Sequence, residues 1–424
     1  MRHRLASWLV ASAVALGFAT AAHADDVVFQ STQMRPLEEA TRMRQVILKD
    51  FPGSVTFVPD ASQQILIHLQ AEAQTGQHSV SLVGALHGEL QPLAQAGLLE
   101  PLDKAASGTA IPAELVRLGQ FGGEHPLYRP WMQGGYIMLA NKKALAFLPP
   151  GADLQRLTYA QLLQWGRAIQ EHTGQRAIGF PAGPQGLMAR FFEGYLYPSY
   201  TGGVVTTFRS AEAEAMWTQF RALWSVVNPN SSNYNFMQEP LLSGDVMVAF
   251  ENTARLVDAL RQRPDDFVAF PPPVGPRGRG DLTIVIGLAI AKGAPNAAGA
   301  AALMDYLTRP DVELSTALAS GLFPAANVPL PADMPVGTRM AVDAIAATKA
   351  SPDLVASVLP IGLGTKDGAF NKVYMDTFQR IVLRGEPVRG VLDREADELR
   401  SIIDSTKAAC WQPDGPSQGP CPVP

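Results

Sequence analysis

The tightest constraint on this chain is an alternation that starts at residue 27. Val27-Val28-Phe29 is a short β-branched run. Pro36 suits the first turn of a helix, and Leu37, Ala40, Met43 and Ile47 then recur on one face to about Asp50. Pro52-Gly53 ends that helix, residues 55–58 read as a second strand, 63–74 as a second helix and 79–83 as a third strand. Strands separated by helices of this length predict a parallel sheet, because parallel neighbours need a crossover connection. Ligands of such sheets sit beyond the carboxyl ends of the strands. Those ends are Ser31-Thr32-Gln33, Pro59-Asp60-Ala61-Ser62 and Gly84-Ala85-Leu86-His87.

Further along, the pattern remains mixed. Residues 136–139 are strand-like, and Thr158 with Gln161 predicts a capping box opening a helix that Gly174 closes. Ile178-Gly179-Phe180 is a short strand. Ser210 opens a helix carrying Met216, Phe220, Leu223 and Trp224 at helical spacing. Residues 246–250 form a buried strand ending in Glu251-Asn252-Thr253. After a connector from Pro271 to Gly280 come a long strand over 282–291, an Ala-rich helix over 296–308 stopped by Pro310, and a helix to Ser320 with Gly321 beyond it. The C-terminal region is helical over 388–406. At 424 residues and 47% hydrophobic, the chain supports two or three domains.

The N-terminus reads as a cleavable secretory signal, residues 1–24. Arg2 and Arg4 supply positive charge, residues 5–18 are apolar, and Ala22-His23-Ala24 is a small-x-small cleavage site. The apolar run is shorter than the ~20 residues a membrane anchor needs. Losing the two arginines shifts the formal charge from −5 to −7, which argues against nucleic acid as a partner. Two cysteines, Cys410 and Cys421, lie in the last 15 residues, and in an oxidising compartment they read as a disulfide closing the tail 410–421. A redox or metal pair is the alternative, without C-x-x-C spacing or nearby histidines to favour it. No cysteine stands at the cleavage site for lipid attachment. The expectation is an unlipidated protein of the periplasm.

Five segments, in order, carry a family resemblance. They are Leu-Gln-Pro-Leu-Ala-Gln-Ala-Gly-Leu-Leu-Glu-Pro-Leu-Asp at 90–103, Tyr-Arg-Pro-Trp-Met-Gln at 128–133 with the strand at 136–143, and Leu-Thr-Tyr-Ala-Gln-Leu-Leu at 157–163. The fourth is Leu-Ser-Gly-Asp-Val-Met-Val-Ala-Phe at 242–250. The fifth runs from Ile286 to Asn296, with the helix behind it and Gly-Leu-Phe-Pro at 321–324. Together they resemble extracellular solute-binding protein family 1, the sugar-type, maltose-binding-protein-like substrate-binding subunits of ABC importers. The resemblance implies an α/β fold of the type II periplasmic binding protein class. It would have two lobes, each a mostly parallel sheet flanked by helices, and three interlobe crossings near 130–132, 283–285 and 323–324. Lobe one would be 25–131 plus 284–323, and lobe two 132–283 plus 324–424. It also implies a monomer that captures a small solute, a carbohydrate or derivative, by lobe closure and delivers it to an inner-membrane ABC permease. Two family features are missing. Ser79-Val80-Ser81 stands where an acidic residue is usual near strand three, and Asn252-Thr253-Ala254-Arg255 where a Trp usually follows the 242–250 segment.

A sugar site needs planar hydrogen-bonding groups and aromatic platforms. Trp131, after Pro130 at an expected crossing, is a platform or a packed interlobe residue. Trp165, Trp217 and Trp224 lie at core spacing. Tyr195, with Tyr197 and Tyr200, is a second aromatic candidate. Glu251, Asn252, Thr253 and Arg255 follow a strand end; Glu accepts from two hydroxyls and Arg forks onto a carboxylate or phosphate, the alternative being a helix cap with a solvated Arg. Gln33, Asp60, Gln64 and Gln185 complete the candidate set. His87 is a possible ligand contact, although a lone His is more often structural or solvent-facing. No G-x-S-x-G, H-E-x-x-H or clustered histidine pattern is present, so neither catalytic residues, a cofactor nor a metal is expected. The departures shift the expected ligand towards a sugar derivative, polyol phosphate or other anionic solute. The rival readings are an exported carbohydrate-active hydrolase and a ligand sensor on the same fold.

Overall fold

The computed structural model describes residues 26–33, 37–102 and 111–424. The expected signal at 1–24 and Pro36 lie outside the described residues. Eleven described strands form two sheets: β1 (Asp26–Ser31), β2 (Ser54–Pro59), β3 (Leu82–Leu86), β4 (Arg129–Gly134), β5 (Tyr136–Asn141), β6 (Ile178–Gly179), β7 (Val248–Asn252), β8 (Phe267–Phe270), β9 (Arg279–Ile290), β10 (Phe323–Pro324) and β11 (Leu354–Val358). The first sheet runs β10-β4-β9-β3-β1-β2, with β11 on the first half of β9; the second runs β6-β7-β5-β8.

The N-terminal alternation folds as its spacing requires. β1 pairs in parallel with both β2 and β3, and the helix Ser62–Thr75 makes the second crossover. Beyond β3 the first sheet is mixed, since β9 pairs antiparallel with β3 and with β4. The second sheet is mixed too: β6 and β7 are parallel, while β7, β5 and β8 are antiparallel. β4 stays in register with β9 as far as Gly134, and β5 begins at Tyr136 in the second sheet. The chain therefore changes sheets at Gly134–Gly135, a few residues past Pro130–Met132. β9 spans the two halves: Arg279–Thr283 pairs with β11, and Ile284–Ile290 with β3 and β4.

Period-2 alternation assigns each sheet a core on both faces. In β3 and β9, Leu82, Ile286 and Leu288 enter one cluster, with Phe29 and Leu303, while Val83, Val285 and Ala289 enter another, with Ile65 and Leu93. In β5 and β7, Tyr136, Met138 and Phe250 face a large aromatic cluster, while Ile137, Leu139 and Ala249 face a smaller one with Leu256 and Leu260. This gives two lobes built on one plan. Trp165 and Trp217 pack in the aromatic cluster and donate to Ala144 O and Tyr197 Oη.

Local signals act where expected. Thr158 Oγ1 accepts from Gln161 N at 3.1 Å, Gln161 Oε1 accepts from Thr158 N at 3.0 Å, and Gly174 closes the helix at φ 73°. Cys410 and Cys421 are bonded. The tail they close is pinned by buried Asp414, whose carboxylate accepts from the backbone N–H groups of Val204, Val205 and Thr206 at 2.9–3.0 Å and from the Thr206 hydroxyl.

Candidate functional site

A cavity of about 290 Å³ lies between the lobes. The first lobe supplies Thr32 and Gln33 after β1, Glu39 from the helix Leu37–Arg42, Asp60 and Ser62 after β2, and Glu89 after β3. These are the carboxyl ends of three parallel strands, where the free polar groups of loops and helix starts converge. The second lobe supplies Arg190, Asn252 and Arg255, with Leu187. The first-lobe wall thus carries three carboxyl groups and the second-lobe wall two guanidinium groups. A second cavity of about 420 Å³ continues from the first through Ser62, Glu89 and Arg190, towards Leu66, Pro92, Leu359, Pro360 and Asp367. No aromatic side chain lines either cavity among the described residues.

Each group is held by local chemistry. Asp60 accepts from Ala61 N at 2.8 Å at the start of the helix Ser62–Thr75, and from Gln30 Nε2 at 3.3 Å. Glu89 accepts from Leu86 N at 3.0 Å and from the Thr32 hydroxyl at 2.9 Å, tying two strand ends together. Asn252 Oδ1 accepts from Ala254 N at 3.0 Å, capping the turn that carries Arg255. Arg255 donates to Asn235 O at 3.0 Å and Gln185 O at 3.3 Å, and its guanidinium lies 4.6 Å from the centre of the Phe236 ring. Burial pushes the Glu39 carboxyl up to about 7, against the pull of Arg255 and Arg42. Glu89 and Asp367 attract Arg190, and Glu251 and Glu39 attract Arg255, at longer range than a direct ion pair.

Of the residues predicted from sequence, Gln33, Asp60, Asn252 and Arg255 meet at the first cavity. The others are placed elsewhere. Trp131 is fully buried in a first-lobe core, where it is the extra residue of a β-bulge and donates Nε1–H to Leu307 O at 3.0 Å. Tyr195 is buried in the aromatic cluster against Tyr136 and Phe250. Glu251 is enclosed behind the loop, accepting from Asn252 N at 2.6 Å and Met237 N at 3.1 Å, and burial raises its carboxyl to about 7. Thr253 lines a separate apolar cavity. Gln64 is exposed on its helix, and exposed Gln185 offers its carbonyl to Arg255. His87 is structural: its Nδ1 lies 2.9 Å from Tyr128 Oη and its ring stacks on Phe121.

Sequence reasoning passed over Arg190, Glu39 and Glu89. Arg190 had a signal, a single charge in the apolar run Leu187-Met188-Ala189-Arg190-Phe191-Phe192. Glu89 stands third in the helix following β3, the capping-box position.

A cleft between two α/β lobes, lined by polar strand ends, is a common place for a small-molecule site. The model of the bacterial extracellular solute-binding proteins matches residues 44–313, and the chain belongs to that family. No curated protein matches it. Solved structures share the fold at low identity. The GacH receptor of Streptomyces glaucescens, solved unliganded and with acarbose, superposes with TM-score 0.71 at 18% identity over 90% of this chain and 99% of that one. Maltose-bound MalE3 of T. maritima gives 0.70 at 16% over 89% and 100%. UgpB of Mycobacterium tuberculosis, in complex with glycerophosphocholine, gives 0.68 at 19% over 90% and 98%.

Proposed function

We propose that this protein is the periplasmic binding subunit of an ABC importer, exported by its N-terminal signal, working as a monomer and delivering its solute to an inner-membrane permease. The ligand is a small carbohydrate derivative or polyol bearing a phosphate or carboxylate. The observation that carries this reading is the second-lobe wall: Arg190 and Arg255 both line the cleft, neither locked in a close ion pair among the described residues, and the adjoining lining lacks an aromatic platform. Phe236, on the segment before the helix Gln238–Ser243, is covered by the Arg255 guanidinium. A guanidinium binds planar anions in a two-pronged geometry, while Gln33, Asn252 and Thr32 are suited to hydroxyls. Two relatives of this fold bind acarbose and maltose and a third a phosphodiester, so the architecture accepts both neutral and phosphate-bearing ligands. Contacts from both walls would favour lobe closure, as a ligand shifts only the equilibrium it binds differentially.

The test is a thermal-shift screen of neutral sugars, sugar acids, sugar phosphates and glycerol phosphodiesters, followed by calorimetry. A ligand at 100 times its dissociation constant adds ~2.7 kcal/mol of stability. Arg255→Ala and Arg190→Gln should each weaken an anionic ligand by ~1.5–3 kcal/mol. Stabilisation by neutral sugars alone, undiminished in both variants, would reject the anionic ligand.

A further inference from the structure

Two charged residues stand one helical turn apart on each side of the cleft, with opposite polarity. Glu39 and Arg42 lie on the helix Leu37–Arg42, whose Ala40 is buried in a first-lobe core. Arg255 and Asp258 lie on the turn Thr253–Arg255 and the helix Val257–Gln262, whose Ala259 and Leu260 are buried in a second-lobe core. Glu39 and Arg255 line the cavity and attract one another. One turn further out, Arg42 Nη2 meets Asp258 Oδ1 at 2.7 Å, with side chains only 15% and 23% exposed. Arg261 adds a further positive charge, 3.7 Å from Asp258 on the same helix. The Arg42–Asp258 pair therefore joins two cores that share no sheet at this point, and both residues lie outside the cavity lining.

We infer that Glu39 and Arg42, facing Arg255 and Asp258, are a built-in clasp that draws the lobes together in the absence of ligand. The clasp sets how much of the free protein is already closed. Apparent affinity scales with the fraction of molecules in the binding-competent state, so its outer pair, Arg42 and Asp258, which lies outside the cavity lining, tunes affinity without touching the solute. The inference is independent of the ligand's identity.

The test uses solute-stripped protein and no ligand. Small-angle scattering compares the wild type with Arg42→Ala, Asp258→Ala and the reversed pair Arg42→Asp with Asp258→Arg. Circular dichroism and melting confirm that each is folded. A partly exposed ion pair contributes at most about a fivefold bias. Each single variant should lose about that much of the closed population, visible as a larger radius of gyration, and the reversed pair should recover it. Wild type in 1 M salt should move towards the single variants, because exposed charge pairs are screened. Equal radii for wild type and single variants would overturn the inference. So would enlarged single variants whose radius the reversed pair fails to restore, since the effect would then lie outside the charge pairing.

Discussion

Glu313 offers the sharpest check on the energetics of the first lobe. It sits in the helix Pro310–Ser320 with no exposed surface, and neither carboxyl oxygen has a hydrogen-bond partner. Burial without compensation raises its pKa from 4.5 to about 8. The folded chain therefore holds a proton that the unfolded chain releases above pH 4.5. A carboxyl whose pKa is raised on folding makes stability fall with pH, here across the window from 4.5 to 8. Each unit of separation is worth 1.36 kcal/mol, so the cost is below about 1 kcal/mol at pH 5 and approaches about 4 kcal/mol at pH 7.5. Glu313→Gln keeps the shape and removes the ionisation. In urea unfolding, with both proteins measured side by side, the variant should gain on the wild type by about 3 kcal/mol between pH 5 and pH 7.5. A stability difference that stays flat across that range would refute the reasoning, because it would mean that the carboxyl finds a compensating partner or water.

Two further outcomes follow from buried groups of other kinds. Burial lowers His87 from 6.5 to about 4, so the unfolded chain takes up a proton that the folded chain refuses. Stability should fall as pH drops from 6.5 to 4, and His87→Asn should flatten that slope in urea titrations while lowering stability at pH 7 through loss of the Phe121 stack. Asp414→Ala leaves the N–H groups of Val204, Val205 and Thr206 without their acceptor. A loss of ~3 kcal/mol in denaturant titration is expected, with faster proteolysis of the C-terminal tail, and an unchanged midpoint would show that water replaces the carboxylate.

Much of the framework was legible because it depends on periodicity and on local stereochemistry. The β1–β2–β3 alternation, the Thr158–Gln161 capping box and the Cys410–Cys421 pair are each written in a few neighbouring residues. The mixed character of the sheets was less legible. It depends on β9 meeting β3 and β4, strands far away in sequence, and strand direction leaves no mark on side-chain alternation.

The site divides along the same line. Gln33, Asp60, Asn252 and Arg255 were found because each lies at or just past a strand end, a position that topology makes accessible. Trp131 looked equally eligible beside a change of sheets, but the β-bulge turns it inward, where it satisfies Leu307 O instead of facing a solute. Glu251 shows the limit most clearly. Along β7 its neighbour Asn252 reaches the cavity, whereas its own carboxylate closes on the amides of Met237 and Asn252. A one-residue step in a strand reverses the face a side chain occupies. Strand-end proximity therefore identifies the loop that binds, while alternation and the capping geometry of Asn252 decide which of its residues can reach a ligand. Arg255 meets both conditions, being three residues past Asn252 and held by that cap with its guanidinium in the cleft. Arg190 meets neither, because it comes from a helix, and only the packing of Leu187 and Phe191 against the second lobe carries it to the cavity.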